Sequence, residues 1–257
     1  MKQILVTNDD GVRSDGIDAL ASALGRLGDV TIVAPHLEAS AIGHALTLRR
    51  PLRMEKLRDR VYEVDGTPTD CVNIAFTQIF HAAPDLIVSG INKGFNLGDD
   101  LTYSGTVAGA LEGALLGVPS IAISLERVGR EYDFSHAAAA AATIAALVLR
   151  GGVLQGRTFL NVNVPAGKPK GFRLTVQAKR NHATIVDPRT DPRGQKYYWI
   201  EEGDNDWQPH DRSDYQAIRD GYVSVTPLHP DMTDHDALAK LQSLALEATL
   251  CDSPVSR

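Results

Sequence analysis

The chain has 257 residues, of which 43% are hydrophobic and 23% charged, and its formal net charge is -6. This composition is ordinary for a globular protein, and the length allows a substantial buried core. The acidic balance argues against a partner that is a nucleic-acid polymer, because phosphate backbones favour clustered Lys and Arg. A nucleotide as a small ligand stays possible.

Cysteine usage and the apolar runs predict a reduced, cytoplasmic setting. The two cysteines, Cys71 and Cys251, lie far apart in the sequence. The opening "MKQILVTN" lacks the long apolar region of a signal peptide. The longest apolar stretch, 137–149, contains a threonine and is shorter than the roughly 18 residues of a membrane span, so we expect no membrane segment.

The first 125 residues alternate between strand and helix patterns. "QILVT" (3–7) and "DVTIVAP" (29–35) are rich in β-branched residues and flank a segment whose apolar residues recur at helical spacing. "PDLIVSG" (84–90) and "VPSIAISL" (118–125) each follow a further helical pattern. The sequence therefore predicts an α/β fold with a Rossmann-like, doubly wound and mainly parallel sheet.

Two parts of the chain depart from this alternation. Residues 45–67 alternate as a β-ribbon does, and we expect them beside the main sheet. After an Ala-rich helix at about 134–151, strand patterns return around "VDPRTDPRG" (186–194), a turn signal that predicts a projecting hairpin, and a strand and an amphipathic helix follow. We expect a Rossmann-like core at 1–155 and a C-terminal elaboration at 156–257. The hairpin has two possible roles, in substrate specificity or in subunit contact.

Polar residues follow three of the predicted strands, where open parallel sheets bind their ligands. These residues are Asn8, Asp9 and Asp10 after the first strand, Ser40 and His44 after the second, and Asn92 and Asn96 after the third. Adjacent carboxylates such as Asp9 and Asp10 are costly without a cation. Two carboxylates with a hydroxyl and an amide oxygen form a hard donor set that suits Mg²⁺, Mn²⁺ or Ca²⁺ better than zinc. Taken alone, Ser40 and Asn92 are also ordinary loop and turn residues.

A second candidate site is "YSGTV" (103–107), where a loop becomes a helix. Free amides at a helix N-terminus attract anions such as phosphate, and Ser104 and Thr106 add hydroxyl groups. Gly105 permits close approach of the main chain. The same small residues also suit a plain helix cap and tight packing of a helix on a sheet, so both interpretations stay open.

Five motifs together, and in this order, resemble the survival protein E (SurE) family of metal-dependent 5'-nucleotidases and acid phosphatases. They are "ILVTNDDG", "TIVAPHLEAS", "DGTPTDCV", "SGINKGFNLGDDLTYSGTVAGALEG" and "VSVTPLHPD". The resemblance runs from residue 1 to about residue 240, and its long fourth block is specific. One loop departs from the family pattern: "LEASAIGH" places Glu38 and Ala41 where a basic or polar residue and a glycine are common, while Ser40 is retained.

The resemblance implies a metal site, a substrate and an assembly. One divalent ion per subunit, Mg²⁺ or Mn²⁺, would be held by Asp9, Asp10, Ser40 and Asn92. The substrates would be nucleoside monophosphates, with other phosphoesters and short polyphosphate as further possibilities. C-terminal segments would be exchanged between the subunits of a homodimer or homotetramer.

The leading hypothesis is hydrolysis of a phosphomonoester by a metal-activated water. In it, Asp9 and Asp10 are the catalytic metal anchors. Ser104, Gly105, Thr106 and the Asn96 side chain bind the phosphate oxygens.

Two alternatives accompany this hypothesis. In the first, Asp9 itself attacks phosphorus, but enzymes of that kind usually carry a D-x-D arrangement, and Gly11 stands two residues after Asp9. In the second, the chain is a non-catalytic sensor module that binds metal and nucleotide. No lysine follows the fourth strand, which argues against a simple receiver module.

Overall fold

The computed structural model describes residues 1–129, 131–152, 154–181, 184–202 and 206–243. The strands are β1 (Gln3–Thr7), β2 (Asp29–Pro35), β3 (Met54–Arg58), β4 (Val61–Val64), β5 (Leu86–Lys93), β6 (Ser120–Leu125), β7 (Phe159–Val164), β8 (Phe172–Leu174), β9 (Arg180–Asn181), β10 (Thr184–Thr190), β11 (Lys196–Glu202), β12 (Asp206–Trp207) and β13 (Val223–Leu228). The α-helices are α1 (Asp15–Leu24), α2 (Pro68–Ile74), α3 (Gly105–Leu115), α4 (Ser135–Leu149), α5 (Asp214–Arg219) and α6 (His235–Ser243).

Nine strands form one sheet in the order β3-β4-β2-β1-β5-β6-β7-β13-β8. From β4 to β7 all neighbours are parallel, whereas β3 on β4 and β13 on β7 are antiparallel. The parallel part has the strand order of a dinucleotide-binding sheet, in which the chain leaves the first strand to one side and later returns to the other. That reversal lies between β1 and β5, so the predicted α/β, doubly wound, mainly parallel fold is confirmed.

Alternation along the buried strands explains why helices cover both faces. On β1, Ile4 and Val6 pack in the cluster that contains the apolar residues of α1 and α4, whereas Leu5 packs in the cluster with α2. The N-terminus of α1 is fixed by Ser14, whose hydroxyl accepts from the Ile17 N–H. Helices α1 and α4 therefore cover one face of the sheet, and α2 covers the other.

The helix after "DGTP" shows a capping box. Thr67 Oγ1 accepts from the Asp70 N–H, and the Asp70 carboxylate accepts from the Thr67 N–H. Pro68 stands at the first helical position, where its missing N–H leaves no hydrogen bond unmade. The regular helix ends at Ile74 and the chain continues as a π-helical turn over Ala75–Ile79.

The predicted ribbon at 45–67 differs from the structure in extent and in place. Only β3 and β4 are strands, and β4 pairs in parallel with β2, so the ribbon forms the edge of the main sheet. The reason is that β4 is covered on both faces: Val61 packs in the cluster with α1 and α4, and Val64 packs in the cluster with α2, while the whole of β3 is exposed. A strand with apolar contacts on both faces is part of the main sheet, and β3 then forms its exposed edge.

The C-terminal part contributes both to the main sheet and to a projecting hairpin. Strands β7, β8 and β13 extend the main sheet, and β10 and β11 form a separate antiparallel pair. The predicted turn at 186–194 is too long, because residues up to Thr190 pair with β11 and the reversal occupies 191–195. Of the predicted terminal helix, α6 is described to Ser243, and the remainder lies outside the described residues.

None of the helices in the described part of the chain is long and apolar enough to cross a membrane.

Candidate active site

The carboxyl ends of β1 and β5 and the N-terminus of α3 border a cleft of about 1040 Å³. Six of the eight predicted site residues line it: Asp9, Asp10, Ser40, Asn92, Asn96 and Ser104. The other two, Gly105 and Thr106, lie directly behind Asp9. The topology therefore brings together residues that are almost a hundred positions apart in the sequence.

Asp9 is buried and held by the first turn of α3. The Thr106 N–H donates to Asp9 Oδ2 at 3.0 Å, and the Thr106 hydroxyl donates to Asp9 Oδ1. Burial raises the pKa of Asp9, while these hydrogen bonds oppose the rise. A carboxylate oxygen has a second lone pair, so both oxygens stay able to contact a cation.

Asp10 has the properties of a carboxylate that binds a cation. Burial, followed by the charge of Asp9, raises its pKa to about 6, and Lys93 only partly offsets the rise. Its Oδ2 is buried and has no hydrogen-bond partner among the described residues. A divalent cation between the two carboxylates would satisfy this oxygen and remove the repulsion.

Ser40 and Asn92 present neutral oxygens to the same cleft. The Ser40 hydroxyl is exposed and donates to Glu38 Oε1 at 2.6 Å. The Asn92 Nδ2 donates to the Gly94 carbonyl at 3.0 Å, which leaves Oδ1 as its remaining acceptor. The described residues contain no group of three or more His, Cys, Asp or Glu side chains that could hold a metal. A metal on Asp9 and Asp10 therefore needs neutral oxygen donors, and the two residues fit that requirement.

Glu38 is a cleft carboxylate that the sequence did not mark as a site residue. Its charge raises the pKa of both Asp9 and Asp10, although less than burial does. The loop that carries it also contains Ala41, whose φ of 53° lies in the left-handed region. That conformation favours glycine, so an alanine is strained at this position.

The loop with Ser40 is anchored to α3 beyond the cleft. The Gly43 N–H donates to the Tyr103 carbonyl at 2.9 Å, and His44 Nε2 lies 2.6 Å from Glu112 Oε2. Asn73 Nδ2 donates to the other oxygen of Glu112 at 2.7 Å. Although burial alone would raise it, these partners hold the pKa of the Glu112 carboxyl below its usual value. His44, a strand-end candidate, thus ties the loop to a buried carboxylate.

The start of α3 both contacts Asp9 and borders the cleft. Ser104 is the helix N-cap, and its Oγ accepts from the Val107 N–H at 3.1 Å. A Cβ on Gly105 would lie 2.8 Å from the Asp9 Cβ, so only glycine allows this approach. A Cβ on Gly109 would likewise lie 2.8 Å from the hydroxyl oxygen of Ser89 on β5. The helix cap and the tight packing that the sequence allowed are therefore both present.

Asn96 is fixed by two asparagines that the sequence analysis did not single out. Its N–H donates to Asn163 Oδ1 at 2.9 Å, and its carbonyl accepts from Asn161 Nδ2 and Asn163 Nδ2 at 2.8 and 3.0 Å. Its own Nδ2 donates to Ser124 Oγ at 2.8 Å. The sequence pattern that could have indicated them is "FLNVNV", because two asparagines in a fully buried strand require specific hydrogen-bond partners.

The remaining wall of the cleft comes from both parts of the chain. Its charged and aromatic members include Lys93, Arg127 and Tyr132 from the first part and Arg180, Trp207, Tyr215 and Arg219 from the C-terminal part. These residues are scattered over loops and short elements. No local pattern in the sequence indicates that they meet.

The chain is similar to known proteins over most of its length. The chain matches a family model described as "Survival protein SurE" over residues 4–184. The "5'-nucleotidase SurE" of Syntrophotalea carbinolica is 53% identical over 232 residues, which cover 90% of this chain and 92% of that protein. The protein of the same name from Pelobacter propionicus is 52% identical over 238 residues, covering 91% and 96%.

One solved structure is similar in fold and in sequence. The crystal structure of the SurE protein from Aquifex aeolicus is similar with a TM-score of 0.83 and 44% sequence identity, and the match covers 95% of this chain and 99% of that one. Similarity in fold and in sequence thus extends along almost the whole chain. The chain belongs to the SurE family.

Proposed function

We propose that the cleft hydrolyses nucleoside 5'-monophosphates, with one divalent ion, Mg²⁺ or Mn²⁺, held by Asp9, Asp10, Ser40 and Asn92. The chain is an enzyme of the 5'-nucleotidase and phosphatase class, as its family and the names of its relatives indicate. The observation that carries the residue assignment is the adjacent pair of carboxylates, of which Asp9 is buried and the half-buried Asp10 has a buried Oδ2 without a hydrogen-bond partner among the described residues. A cation between the two carboxylates would offset their mutual repulsion and the cost of their burial.

The residues of the chain have distinct tasks in this reaction. When bound, the divalent ion supplies Lewis acidity that polarises the phosphoryl group and lowers the pKa of the attacking water. Thr106 holds both oxygens of Asp9, so the carboxylate keeps its orientation during turnover. Lys93 borders the cleft near Asp10 and adds positive charge there.

The phosphate contacts belong to the same proposal. Ser104 and Asn96 line the cleft, and Gly105 and Thr106 form the helix start next to them. The positive end of the α3 dipole favours an anion at this point. Both donors of Thr106 are used on Asp9, so in this proposal Thr106 positions the carboxylate that holds the metal instead of donating to the phosphate.

Attack by water is favoured over attack by Asp9. Both Asp9 oxygens accept hydrogen bonds, and the side chain is buried, which lowers its nucleophilicity and its access to phosphorus. The sensor alternative has no observation in its favour, since the two named relatives above are enzymes.

The proposal also assigns residues 1–155 to metal and phosphate chemistry and residues 156–257 mainly to assembly. We expect a homodimer or homotetramer with exchanged C-terminal segments. Exposed apolar side chains on the hairpin of β10 and β11, such as Trp199 at 54% and Ile200 at 77%, support a protein contact there. Light scattering of the purified chain tests this part, and a monomer at micromolar concentration would contradict it.

Phosphate release decides between an enzyme and a sensor. AMP, p-nitrophenyl phosphate and short polyphosphate are each incubated with the protein in EDTA, Mg²⁺ or Mn²⁺. We expect release of phosphate from AMP only with a divalent metal. Binding of AMP without release of phosphate under every metal condition would instead support the sensor.

A further inference from the structure

Two aromatic side chains of the C-terminal part form a stacked pair on the cleft wall. The rings of Trp207, on β12, and Tyr215, on α5, have centroids 4.6 Å apart and an interplanar angle of 13°. Both side chains line the cleft that contains Asp9 and Asp10, and both are half-buried. We call this pair the Trp207–Tyr215 stack.

The stack is closely supported from the side of β5. A Cβ on Gly98 would lie 2.6 Å from Trp207 Cζ3, so the indole lies directly on the backbone of this glycine. Gly98 opens the 3-10 helix Gly98–Thr102, which follows the loop of Asn96. The position of the indole is thereby coupled to the segment that carries a predicted phosphate contact.

Buried charges fix the same arrangement. The Arg180 side chain is only 6% exposed, forms an ion pair with Asp100, and lies 5.6 Å from the Trp207 ring centroid. Asp214 is fully buried and accepts from the N–H groups of Gly98, Ala178 and Tyr215 at 3.0, 3.0 and 2.7 Å.

Burial of such charges is costly, and here they set the geometry of the two rings. Desolvation raises the pKa of Asp214, and the three N–H donors oppose the rise. The stack is therefore held in place before any ligand arrives, and the cost of ordering it does not fall on binding.

We propose that the Trp207–Tyr215 stack binds the nucleobase of the substrate by ring stacking. This inference rests on the proposed function, because it places the base of the nucleotide whose phosphate lies at Asp9 and Asp10. A planar heterocycle is the part of a nucleotide that gains from contact with an aromatic surface. Stacking is tolerant of base identity, so the site accepts several nucleotides.

The test compares two substrates that differ only in the base. AMP and ribose 5-phosphate share the phosphoester and the sugar. Trp207→Ala should lower kcat/KM for AMP by about tenfold, mainly through KM, and leave that for ribose 5-phosphate near the wild-type value. Trp199→Phe is the control variant, since Trp199 is the other tryptophan and is not among the described residues that line the cleft. It should change neither value.

A binding measurement makes the result independent of turnover. In Trp199→Phe, Trp207 is the only tryptophan, and its fluorescence should be quenched by AMP but not by ribose 5-phosphate. An equal loss of kcat/KM for both substrates in Trp207→Ala, or no loss for either, would overturn the inference and leave the nucleotidase function standing. If the wild type hydrolyses neither substrate, the proposed function fails, and the quenching experiment alone decides whether the stack binds a base.

Discussion

Thr106 donates two hydrogen bonds to one carboxylate, with its N–H on Asp9 Oδ2 and its hydroxyl on Asp9 Oδ1. The start of α3 and the end of β1 are thereby joined at the metal-binding residue itself. The geometry of Asp9 is consequently set by a residue that the sequence alone places in a different site.

Thr106→Val tests this link because it removes the hydroxyl and nearly preserves the shape of the side chain. A lost hydrogen bond to a charged group costs about 1.5–3 kcal/mol, and we expect an unfolding free energy lower by that amount. The Mn²⁺ concentration for half-maximal activity should rise by roughly tenfold. Thr106→Ser keeps both donors and should resemble the wild type. Equal behaviour of the Val and Ser variants would show that the hydroxyl contributes nothing.

Gly105→Ala tests the close approach of α3 to Asp9. The added Cβ would lie 2.8 Å from Asp9 Cβ and 3.0 Å from Asp9 Oδ2, so the helix or the carboxylate must move. We expect kcat/KM for AMP to fall by at least about tenfold, since small displacements at a reacting centre are costly.

Gly25→Ala provides the matched control. Gly25 caps α1 in a right-handed conformation, and its nearest neighbour to a Cβ lies at 3.4 Å, so activity should not change. Wild-type kinetics for Gly105→Ala would mean that the space behind Asp9 is not needed.

Asp10→Asn should raise the stability of the metal-free protein even though it removes a proposed metal ligand. The pKa of Asp10 is raised from 3.8 to about 6, so the folded state binds its proton more tightly than the unfolded state does. Such a group lowers stability as pH rises through this window and has no effect below about pH 4. The difference corresponds to at most about 3 kcal/mol, and partial exposure of Asp10 reduces it.

The measurement is denaturant unfolding in EDTA at several pH values. At pH 7.5 Asp10→Asn should be more stable than the wild type, and the two proteins should converge below pH 4. Mn²⁺ should stabilise the wild type and have little effect on the variant. A variant that is less stable than the wild type at pH 7.5 in EDTA would contradict the electrostatic account of the pair.

Glu112→Ala tests the anchor of the Ser40 loop. Glu112 holds His44 and Asn73, so its loss leaves two polar groups without their partner and frees the loop. We expect the Mn²⁺ requirement to rise by several-fold, on the order of 1 kcal/mol, while kcat at saturating Mn²⁺ is largely kept. Glu112→Gln retains hydrogen-bonding atoms, so its Mn²⁺ requirement should lie between those of the wild type and Glu112→Ala. A fall in kcat with an unchanged Mn²⁺ requirement would assign Glu112 another role.

The regular part of the fold could be predicted because each of its strands carries a local pattern. "QILVT" and "DVTIVAP" coincide with β1 and β2, and the strand-end rule then brought Asp9, Asp10 and Asn92 to one cleft. Features that depend on distant contacts could not be predicted in this way. The edge position of β4 follows from its pairing with β2, and the extent of β10 from its pairing with β11.

The same distinction applies to the site. Ser104 and Asn96 were accessible to motif reasoning because they stand in the loops after β5 and before α3. The Trp207–Tyr215 stack was not, since its support by Gly98 and Asp214 joins residues more than a hundred positions apart. The two hydrogen bonds from Thr106 to Asp9 are likewise a tertiary contact between two motifs that lie far apart in the sequence.

Asp9 and Asp10, as we propose, hold a divalent metal that is required for hydrolysis of a nucleotide phosphoester. The most direct measurement is AMP hydrolysis by the wild type and by Asp9→Asn in saturating Mn²⁺, with circular dichroism to confirm that both are folded. We predict phosphate release by the wild type that EDTA abolishes, and no turnover by the folded variant. Wild-type activity of Asp9→Asn in saturating Mn²⁺ would contradict the account.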